Sequence, residues 1–336
     1  MTAVKTDVQY LLDQLDSAKD RRELIPRYQD AWSQAVVCHL EGRAISSMSQ
    51  IPQVLFRYQM PPNKPKFAVR NSDDFFPDEP TAHSWHVFCN AHNAVLTQHL
   101  NIVPDWDMFQ TNHAYSGFHA AARCVSGGMI YFTDPPGSHN LSLLNQISAN
   151  TPERTIILRP AVGRATEVYM AHNEPALCKI RSSYTVGGFT IGILGVFNTT
   201  KIARSDFLTL DDILGKNRKR SYLIRSYQSG NHKKVSPSNV QLPPVLLNLT
   251  FWGWDILSAY PLQFFRLSSD VKDVGIAILG LLHKMTGAAA LTRVEMSVSG
   301  RAQQVNLQVG LKALGTLGKR LFNLLNDHEE ALLTVY

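Results

Sequence analysis

The first 150 residues alternate short strand-like runs with amphipathic helix-like segments, and this alternation constrains the fold more than any other feature. The strand candidates are the runs TAVKTD (2–7), AISSMSQ (44–50), KFAVRNSDD (66–74), NIVPDWDMFQ (101–110) and MIYFTD (129–134). A segment with helical spacing of apolar residues follows each of them: 21–43, 52–60, 84–100, 115–127 and 140–148. Five consecutive strand–helix units predict a parallel sheet covered by helices.

Polar residues follow each strand candidate at its carboxyl end, and several of them are aspartates. They are Asp7, Ser49 and Gln50, Asp73 and Asp74, Asp105 and Asp107, and Asp134. In a (β/α)₈ barrel the carboxyl ends of the strands converge on one pocket, whereas in an open doubly wound sheet they spread along an edge. Because no glycine-rich phosphate-binding loop follows any strand, the barrel is favoured.

The number of units sets a limit on this barrel, since five cannot close an eight-stranded one. We expect residues 1–150 to form a partial (β/α)₈ barrel made of its C-terminal strands only. An open side would leave edge strands unpaired. We therefore expect that the first three strands lie outside this chain, or that something else completes the sheet.

From residue 151 the pattern changes to short apolar or alternating runs separated by turn residues. This pattern predicts an antiparallel β-sandwich over residues 151–336. The segment 312–327 (KALGTLGKRLFNLLND) has helical periodicity and predicts a helix. The basic run 216–234, in a chain of net charge +6, predicts a solvated loop, and no nucleic-acid-binding motif accompanies it.

The cellular compartment and the need for a metal are judged mainly from sequence motifs that the chain does not contain. The four cysteines are scattered without a CxxC pair, which favours a reducing compartment. The first residues lack a signal-peptide pattern, and no apolar run approaches the roughly 20 residues that cross a bilayer. We expect a cytosolic protein without a membrane segment. No HExxH or comparable pattern predicts a metal site.

Asp7 is a candidate nucleophile, because a carboxylate at the end of a strand is held in a fixed position. Lys5, two residues earlier, points to the same face and could bind a sugar hydroxyl. The alternative is that Asp7 simply caps a helix. Arg70, Asp73 and Asp74 form a second cluster, in which Arg70 can pair with one carboxylate and leave the other for proton transfer. Helix capping is again the alternative.

The segment around Trp106 is a candidate sugar site. An aromatic ring can stack on the C–H face of a pyranose while neighbouring carboxylates accept its hydroxyl groups. The neighbouring carboxylates are those of Asp105 and Asp107. The alternative is a core tryptophan flanked by solvent-facing aspartates. Asp134, after the fifth strand candidate, is the weakest candidate.

Six ordered blocks in residues 2–145 resemble the raffinose synthase and seed imbibition proteins of glycoside hydrolase family 36. The blocks are VKTDVQYLLDQL, AISSMSQ, VRNSDDFFPDEP, PDWDMFQTNH, FHAAARCVSGG and IYFTD. Three later blocks resemble the family's C-terminal β domain more weakly: ILRPAVGRAT, LCKI and TIGILGVFN.

The resemblance implies a retaining α-galactosidase or galactosyltransferase that needs no cofactor. It places the nucleophile in the K-x-D motif, at Asp7, and the acid/base at the end of R-x-x-x-D, at Asp74 rather than Asp73. The residues that it implies contact the sugar are Lys5, Arg70, Asp73, Trp106 and Asp107. The implied partners are α-galactosides such as raffinose-family sugars and galactinol, with sucrose as an acceptor, and neither nucleic acid nor membrane.

Two alternatives to an active enzyme of this kind stay open. Members of the family carry an N-terminal β domain and early barrel strands that supply galactose-binding residues. A chain without them could be a catalytically incompetent remnant or a sugar-binding scaffold. A generic barrel aldolase is the least favoured, because Lys5 would be its Schiff-base lysine and the aspartates would be unexplained.

Overall fold

The computed structural model describes residues 3–57, 66–215, 220–236, 245–266, 274–299 and 304–323. The architecture is mixed α/β: a parallel sheet with its helices comes first, and antiparallel sheets follow. The helices are α1 Ala18–Leu40, α2 Pro52–Arg57, α3 Ala82–Leu96, α4 Ser116–Ser126, α5 Leu141–Ile147 and α6 Leu210–Leu214.

The strands of the first part are β1 Val4–Thr6, β2 Ala44–Ser46, β3 Phe67–Arg70 and β4 Ile102–Asp105. Those that follow are β5 Ser148–Asn150, β6 Thr155–Ile157, β7 Arg164–Ala165, β8 Cys178–Val186, β9 Phe189–Phe197, β10 Arg204–Leu208, β11 Tyr222–Ser226, β12 His232–Val235, β13 Val245–Leu249, β14 Trp254–Pro261, β15 Gln263–Phe265, β16 Val274–Leu281, β17 Leu291–Ser299, β18 Gln304–Leu311 and β19 Leu317–Asn323. Short 3₁₀ turns span Gln9–Gln14 and Gly287–Ala290.

The parallel sheet has the order β1-β2-β3-β4, so each strand pairs with its neighbours in sequence. The helices α1, α2 and α3 make the crossovers between its strands. Local signals explain why α1 starts and stops where it does. The Ser17 side chain accepts a hydrogen bond from the Asp20 backbone amide at the start, and Glu41 adopts a left-handed conformation at the end.

The fifth predicted strand, 129–134, is not a strand. Phe132 makes only an isolated parallel bridge with Phe109. Two backbone hydrogen bonds accompany this bridge, from Thr133 N to Phe109 O at 3.0 Å and from Phe109 N to Tyr131 O at 3.4 Å, and the carboxylate of Asp134 accepts the backbone amides of Thr111 and Asn112. Across the described ranges, no ladder joins β4 back to β1, so the sheet is not a closed barrel.

The second part is antiparallel, as the sequence predicts. Its largest sheet has the order β12-β11-β14-β9-β8-β7, and a three-stranded sheet has the order β15-β16-β19. Two-stranded sheets pair β10 with β13, β17 with β18 and β5 with β6.

Two local predictions in this part are wrong. The predicted helix over 312–327 is incorrect at 317–323, which form β19 against β16, while 324–327 lie outside the described residues. Gly315 and Gly318 lower the helix propensity of this segment. The predicted basic loop is incorrect at 222–226 and 232–235, which form the β11–β12 pair; residues 216–219 lie outside the described part.

The largest hydrophobic core crosses from the first part to the second. It joins α3 and α4 to β8, β9 and β14, and the Phe118 and Phe197 rings meet edge to face at 5.3 Å. Gly127 ends α4 with φ +71°, where a Cβ atom would lie 2.5 Å from the Ala161 carbonyl oxygen. This contact requires glycine on both counts. The predicted domain boundary near residue 150 stays a prediction, and the two sides of it share this core.

Among the described residues, none of the helices combines the length and the apolar character that crossing a bilayer requires.

Candidate active site

The orientation of β1 is fixed by Thr6, whose hydroxyl accepts a hydrogen bond of 2.9 Å from the Trp32 indole on α1. Thr6 therefore faces the helix layer. Because side chains alternate along a strand, Lys5 faces the opposite side of the sheet. Asp7 follows β1 directly, two residues after Lys5, and its carboxylate is exposed. One of its oxygens accepts the backbone amide of Val8 at 2.9 Å.

The register of the sheet brings the basic residues of β1 and β3 to the same face. Lys5 pairs with Ile45, and Ile45 pairs with Ala68, so these residues lie in one row. Arg70 lies two residues after Ala68 and so shares this face. Arg70 in turn pairs with Asp105 at the end of β4.

Arg70 is 1% exposed and lies against three carboxylates. Its Nη1 is 2.8 Å from Asp74 Oδ1, its Nη2 is 2.6 Å from Asp107 Oδ1, and its Nε is 3.6 Å from Asp105 Oδ2. Burial by itself lowers the pKa of Arg70, but the nearby carboxylates, Asp107 foremost, outweigh it and raise the pKa. Arg70 is therefore a permanent cation at the centre of the site.

Asp107 connects the ends of β1, β3 and β4. Lys5 Nζ lies 3.6 Å from Asp107 Oδ1, and Asp107 Oδ2 accepts the Phe75 backbone amide at 2.7 Å. Asp107 is fully buried and has φ +61°, a left-handed conformation that aspartate adopts more readily than most residues. The Phe75 contact ties the segment that carries Asp73 and Asp74 to the end of β4.

Tyr131 is a site residue that the sequence interpretation missed. Its hydroxyl lies 2.9 Å from Asp105 Oδ2 and 3.2 Å from Asp107 Oδ1. Burial, together with these two carboxylates, raises the pKa of Tyr131, so the phenol stays protonated as a donor. Burial also raises the pKa of Asp105, whose Oδ1 is buried without a hydrogen-bond partner among the described residues. The tyrosine within IYFTD is the sequence signal that could have indicated this donor.

Asp74 lines two adjoining cavities, one of about 600 Å³ and one of about 250 Å³. Its side chain is 44% exposed, and Asp73 beside it is also exposed. Six lining residues belong to both cavities: Ser72, Asp73, Asp74, Phe76, Trp85 and Cys89. Arg70 lines the larger cavity. Asp7, Lys5 and Asp107 are not among the residues that line either one.

Trp106 does not present its ring to either cavity. It is fully buried and belongs to the hydrophobic core, so the expected stacking face is not available to a sugar. Asp105 and Asp107 are buried as well, so they do not face solvent as the alternative of a core tryptophan flanked by exposed aspartates expects. The exposed aromatic rings at the cavities are Phe76, at 52%, and Trp85, at 45%. Trp85 lies on α3 between the buried residues Ser84 and His86, so apolar periodicity alone gives no signal of its exposure.

Three histidines connect α3 and α4 to the loop behind Asp74. Arg123 Nη1 donates to His119 Nδ1 at 2.8 Å, His119 Nε2 then donates to His83 Nδ1 at 2.7 Å, and His83 Nε2 donates to the Pro77 carbonyl at 3.1 Å. His113 Nε2 donates to the same carbonyl at 3.0 Å. Pro77 is thus anchored three residues beyond Asp74.

Burial favours the neutral forms of His83 and His119, which this chain of hydrogen bonds requires. Burial lowers the pKa of His83, and it lowers those of His86 and His119 well below the ordinary value. Burial also lowers the pKa of Arg123, to about 10. Within the described part of the chain, no group of three or more His, Cys, Asp or Glu side chains could hold a metal ion.

Comparison with known proteins assigns the family. Residues 1–206 match the family described as "Raffinose synthase or seed imbibition protein Sip1". The match covers more than half of the chain, which therefore belongs to this family.

The curated relatives are longer than this chain. It is 28% identical to the protein described as "Probable galactinol--sucrose galactosyltransferase 6" of Arabidopsis thaliana, over 94% of this chain and 43% of that protein. It is 30% identical to the galactinol–sucrose galactosyltransferase of Pisum sativum, over 58% of this chain and 25% of that protein. The chain thus spans less than half the length of these relatives.

Among solved structures, the chain is similar to a GH27 β-L-arabinopyranosidase from Geobacillus stearothermophilus, with a TM-score of 0.49 and 11% identity. The similarity covers 77% of this chain and 58% of that one. Similarity of this extent does not by itself establish a common fold.

Proposed function

We propose that this chain carries the catalytic carboxylates of a retaining α-galactoside-active enzyme, either an α-galactosidase or a galactosyltransferase of the raffinose synthase type. The observation that supports this most is the setting of Asp74. Its half-exposed carboxyl lies in the wall of a cavity large enough for a sugar, with one oxygen held by the buried guanidinium of Arg70. The contact with Arg70 fixes the position of this carboxyl at the cavity, and a positioned carboxyl is what general acid–base catalysis requires.

Asp7 is the nucleophile in this proposal. It shares a sheet face with Lys5 and Arg70, and only β2 separates β1 from β3, which is about 10 Å between strand axes. We expect the carboxyl groups of Asp7 and Asp74 to lie roughly 5 to 7 Å apart, as a retaining mechanism requires.

The reaction is a double displacement. Asp7 attacks the anomeric carbon and forms a galactosyl-enzyme while Asp74 protonates the departing oxygen. Asp74 then takes a proton from water or from a hydroxyl of an acceptor sugar, which attacks the same carbon and releases Asp7. Lys5, Arg70 and Asp73 are assigned to contacts with the galactose hydroxyls, and the buried Asp107 to the orientation of Arg70 and Lys5.

The corresponding fold proposal is a partial (β/α)₈ barrel in residues 1–150, followed by a β-sandwich domain in residues 151–336. The consecutive parallel order of β1 to β4 supports it, and so does the bridge of Phe132 beside Phe109 as the start of a further strand position. The cytosolic location rests on the unpaired cysteines and stays a prediction.

The substrates follow from the names of the relatives. These names support galactinol as donor and sucrose as acceptor, and we propose another α-galactoside and water as the alternatives. A mechanism of this kind needs only the side chains above, so we propose no cofactor.

A covalent label tests the nucleophile directly. A 2-deoxy-2-fluoro-α-galactosyl fluoride should form a slowly hydrolysed ester with Asp7, found as a mass increase on the peptide that contains residue 7. Asp7→Asn should abolish the label, and Asp13→Asn, a change of a nearby aspartate outside the proposed site, should keep it. A label on another carboxylate would contradict the assignment of Asp7.

A second candidate is a galactoside-binding protein without turnover. It is favoured by one observation: Asp7 lines neither cavity, and one of its oxygens is already occupied by the Val8 amide. Thermal stabilisation by galactose, with no release of nitrophenol from p-nitrophenyl α-galactoside, would support this candidate over the enzyme.

A further inference from the structure

We infer that Trp85 and Phe76 form the platform for the sugar on the other side of the scissile bond, the unit that leaves from or accepts the galactosyl group. This inference rests on the function proposed above. The two residues would bind a neutral, hydroxyl-rich ring such as those of sucrose. Neither of them has a role in the catalytic assignments.

The two rings lie where the cavities meet. Trp85 is 45% exposed and Phe76 is 52% exposed, and both line the same two cavities as Asp74. Half-exposed large aromatic rings beside a carboxylate are the arrangement that binds sugars, because the C–H face packs on the ring while the hydroxyls bond to polar groups. Ser72, which lines both cavities, supplies such a polar group.

Trp85 is held in place before any ligand arrives. Its ring stacks on Phe88 at 5.9 Å with an interplanar angle of 21°, and His172 meets its ring edge to face at 5.2 Å. His172 is itself held by a hydrogen bond of 3.1 Å to the Ser84 hydroxyl. Because the ring is already ordered, stacking a sugar on it costs little side-chain entropy.

The positions of the two cavities indicate which sugar lies here. The larger one extends to Arg70, Gln50, Met48 and Tyr10, at the carboxyl ends of β1, β2 and β3. That is the side of Asp7, where the galactose belongs. The smaller one extends over the first turns of α3, along Thr81 and Ala82. A bond cleaved at Asp74 therefore has galactose towards the strand ends and its partner sugar towards Trp85.

The test uses two ligands that the protein does not turn over: galactose for one side of the bond, and sucrose for the other. Binding to the full chain is measured by ligand-observed NMR titration. Trp85→Ala should lower the affinity for sucrose about tenfold and change the affinity for galactose less than twofold. Trp85→Phe should keep most of the affinity for sucrose. Phe207→Ala removes an equally exposed aromatic ring on β10 and should change neither affinity.

Phe76→Ala provides an independent measurement if Trp85→Ala does not fold, and it should also weaken sucrose selectively. Equal losses for galactose and sucrose would place the platform on the galactose side and overturn the inference, while the proposed function would stand. Sucrose affinity unchanged by both alanine variants would overturn it as well. If the unaltered protein binds neither sugar, the proposed function and the inference both fail.

Discussion

A single guanidinium, that of Arg70, balances three carboxylates at the end of β3, and two of those carboxylates are fully buried. Burying a charge is costly unless it is paired, so this arrangement is stable only as a set. Removing the cation would leave Asp105 and Asp107 as neighbouring buried anions.

Arg70→Met should therefore lower the free energy of unfolding by about 3–5 kcal/mol at neutral pH, measured by urea denaturation. The loss should be smaller at acidic pH. Because burial raises the pKa of Asp105, that carboxyl takes up a proton at a higher pH than an exposed aspartate and then needs the cation less.

Arg43→Met is the matched control for this change. Arg43 pairs with Glu41 at the surface, where their side chains are 54% and 80% exposed, so its loss should cost less than about 1 kcal/mol. Equal costs at positions 43 and 70 would contradict the central role given to Arg70.

The adjacent carboxyls Asp73 and Asp74 should differ in catalysis. Asp74→Ala should reduce turnover of raffinose by about 10²–10⁴-fold, because the leaving sugar needs a proton. Turnover of an activated aryl α-galactoside should fall much less, since its leaving group departs unprotonated. Initial rates on the two substrates provide the comparison.

Asp73→Ala is the control and should weaken binding more than chemistry, seen as a higher KM with kcat largely kept. Asp74 is the one of the pair that contacts Arg70 through its carboxylate. If Asp73→Ala instead showed the leaving-group dependence, the acid/base would be Asp73.

At the residue scale the sequence indicated that charged residues at the strand ends lie together, whereas their roles in binding and catalysis stay predictions. Lys5, Arg70 and Asp107 do lie in contact, because strand alternation and parallel order determine which ends converge. Trp106 lies in the core instead, since the residue after β4 turns inward and its exposure depends on the packing of helices. That packing cannot be read from one segment.

At the scale of elements, Gly127 shows how tightly the end of α4 lies against the loop before β7. A Cβ atom there would lie 2.5 Å from the Ala161 carbonyl oxygen, and φ is +71°. Gly137 has a similar φ of +85° but no atom within 4 Å of its Cβ position. A side chain at position 127 would therefore cause both backbone strain and a steric clash, whereas one at position 137 would cause backbone strain alone.

Gly127→Ala should accordingly destabilise the protein by several kcal/mol, by strain and collision together, whereas Gly137→Ala should cost only about 1 kcal/mol from its backbone conformation. Thermal denaturation of the two variants measures the difference. Equal shifts in Tm would show that the contact at Ala161 relaxes without cost.

The elements themselves were predictable where the sequence repeats a strand–helix unit. The positions of β1 to β4 and their parallel order follow from that repeat. The segment 129–134 looks like a strand in composition, yet its pairing is limited to the bridge between Phe109 and Phe132, and the extent of such pairing has no local signal. The segment 317–323 forms a strand, because pairing with β16 overrides its helical periodicity.

For the whole molecule, the core that crosses residue 150 contains a cluster of buried histidines. His86 and His119 are 4% and 1% exposed. Burial lowers their pKa values in the folded state, so unfolding below about pH 6.5 lets each histidine take up a proton. The stability that they contribute is complete above that pH and is lost as the pH falls.

Lowering the pH from 7 to 5 should therefore reduce the free energy of unfolding by about 1.4 kcal/mol per pH unit for each of these histidines, over the lower part of that range. His119→Gln should reduce this slope by one histidine's share, measured by urea denaturation across the range. An unaltered slope in His119→Gln would mean that its ring is accessible to protons in the folded state.

The shared guanidinium also has a consequence for how these positions can change over evolution. Residues that bond to one common partner have non-additive effects, so the cost of altering one depends on the state of the others. Arg70, Asp105, Asp107 and Tyr131 form such a set through direct contacts. Single replacements among them should be rare in related chains, and where one differs, a second member of the set should differ with it.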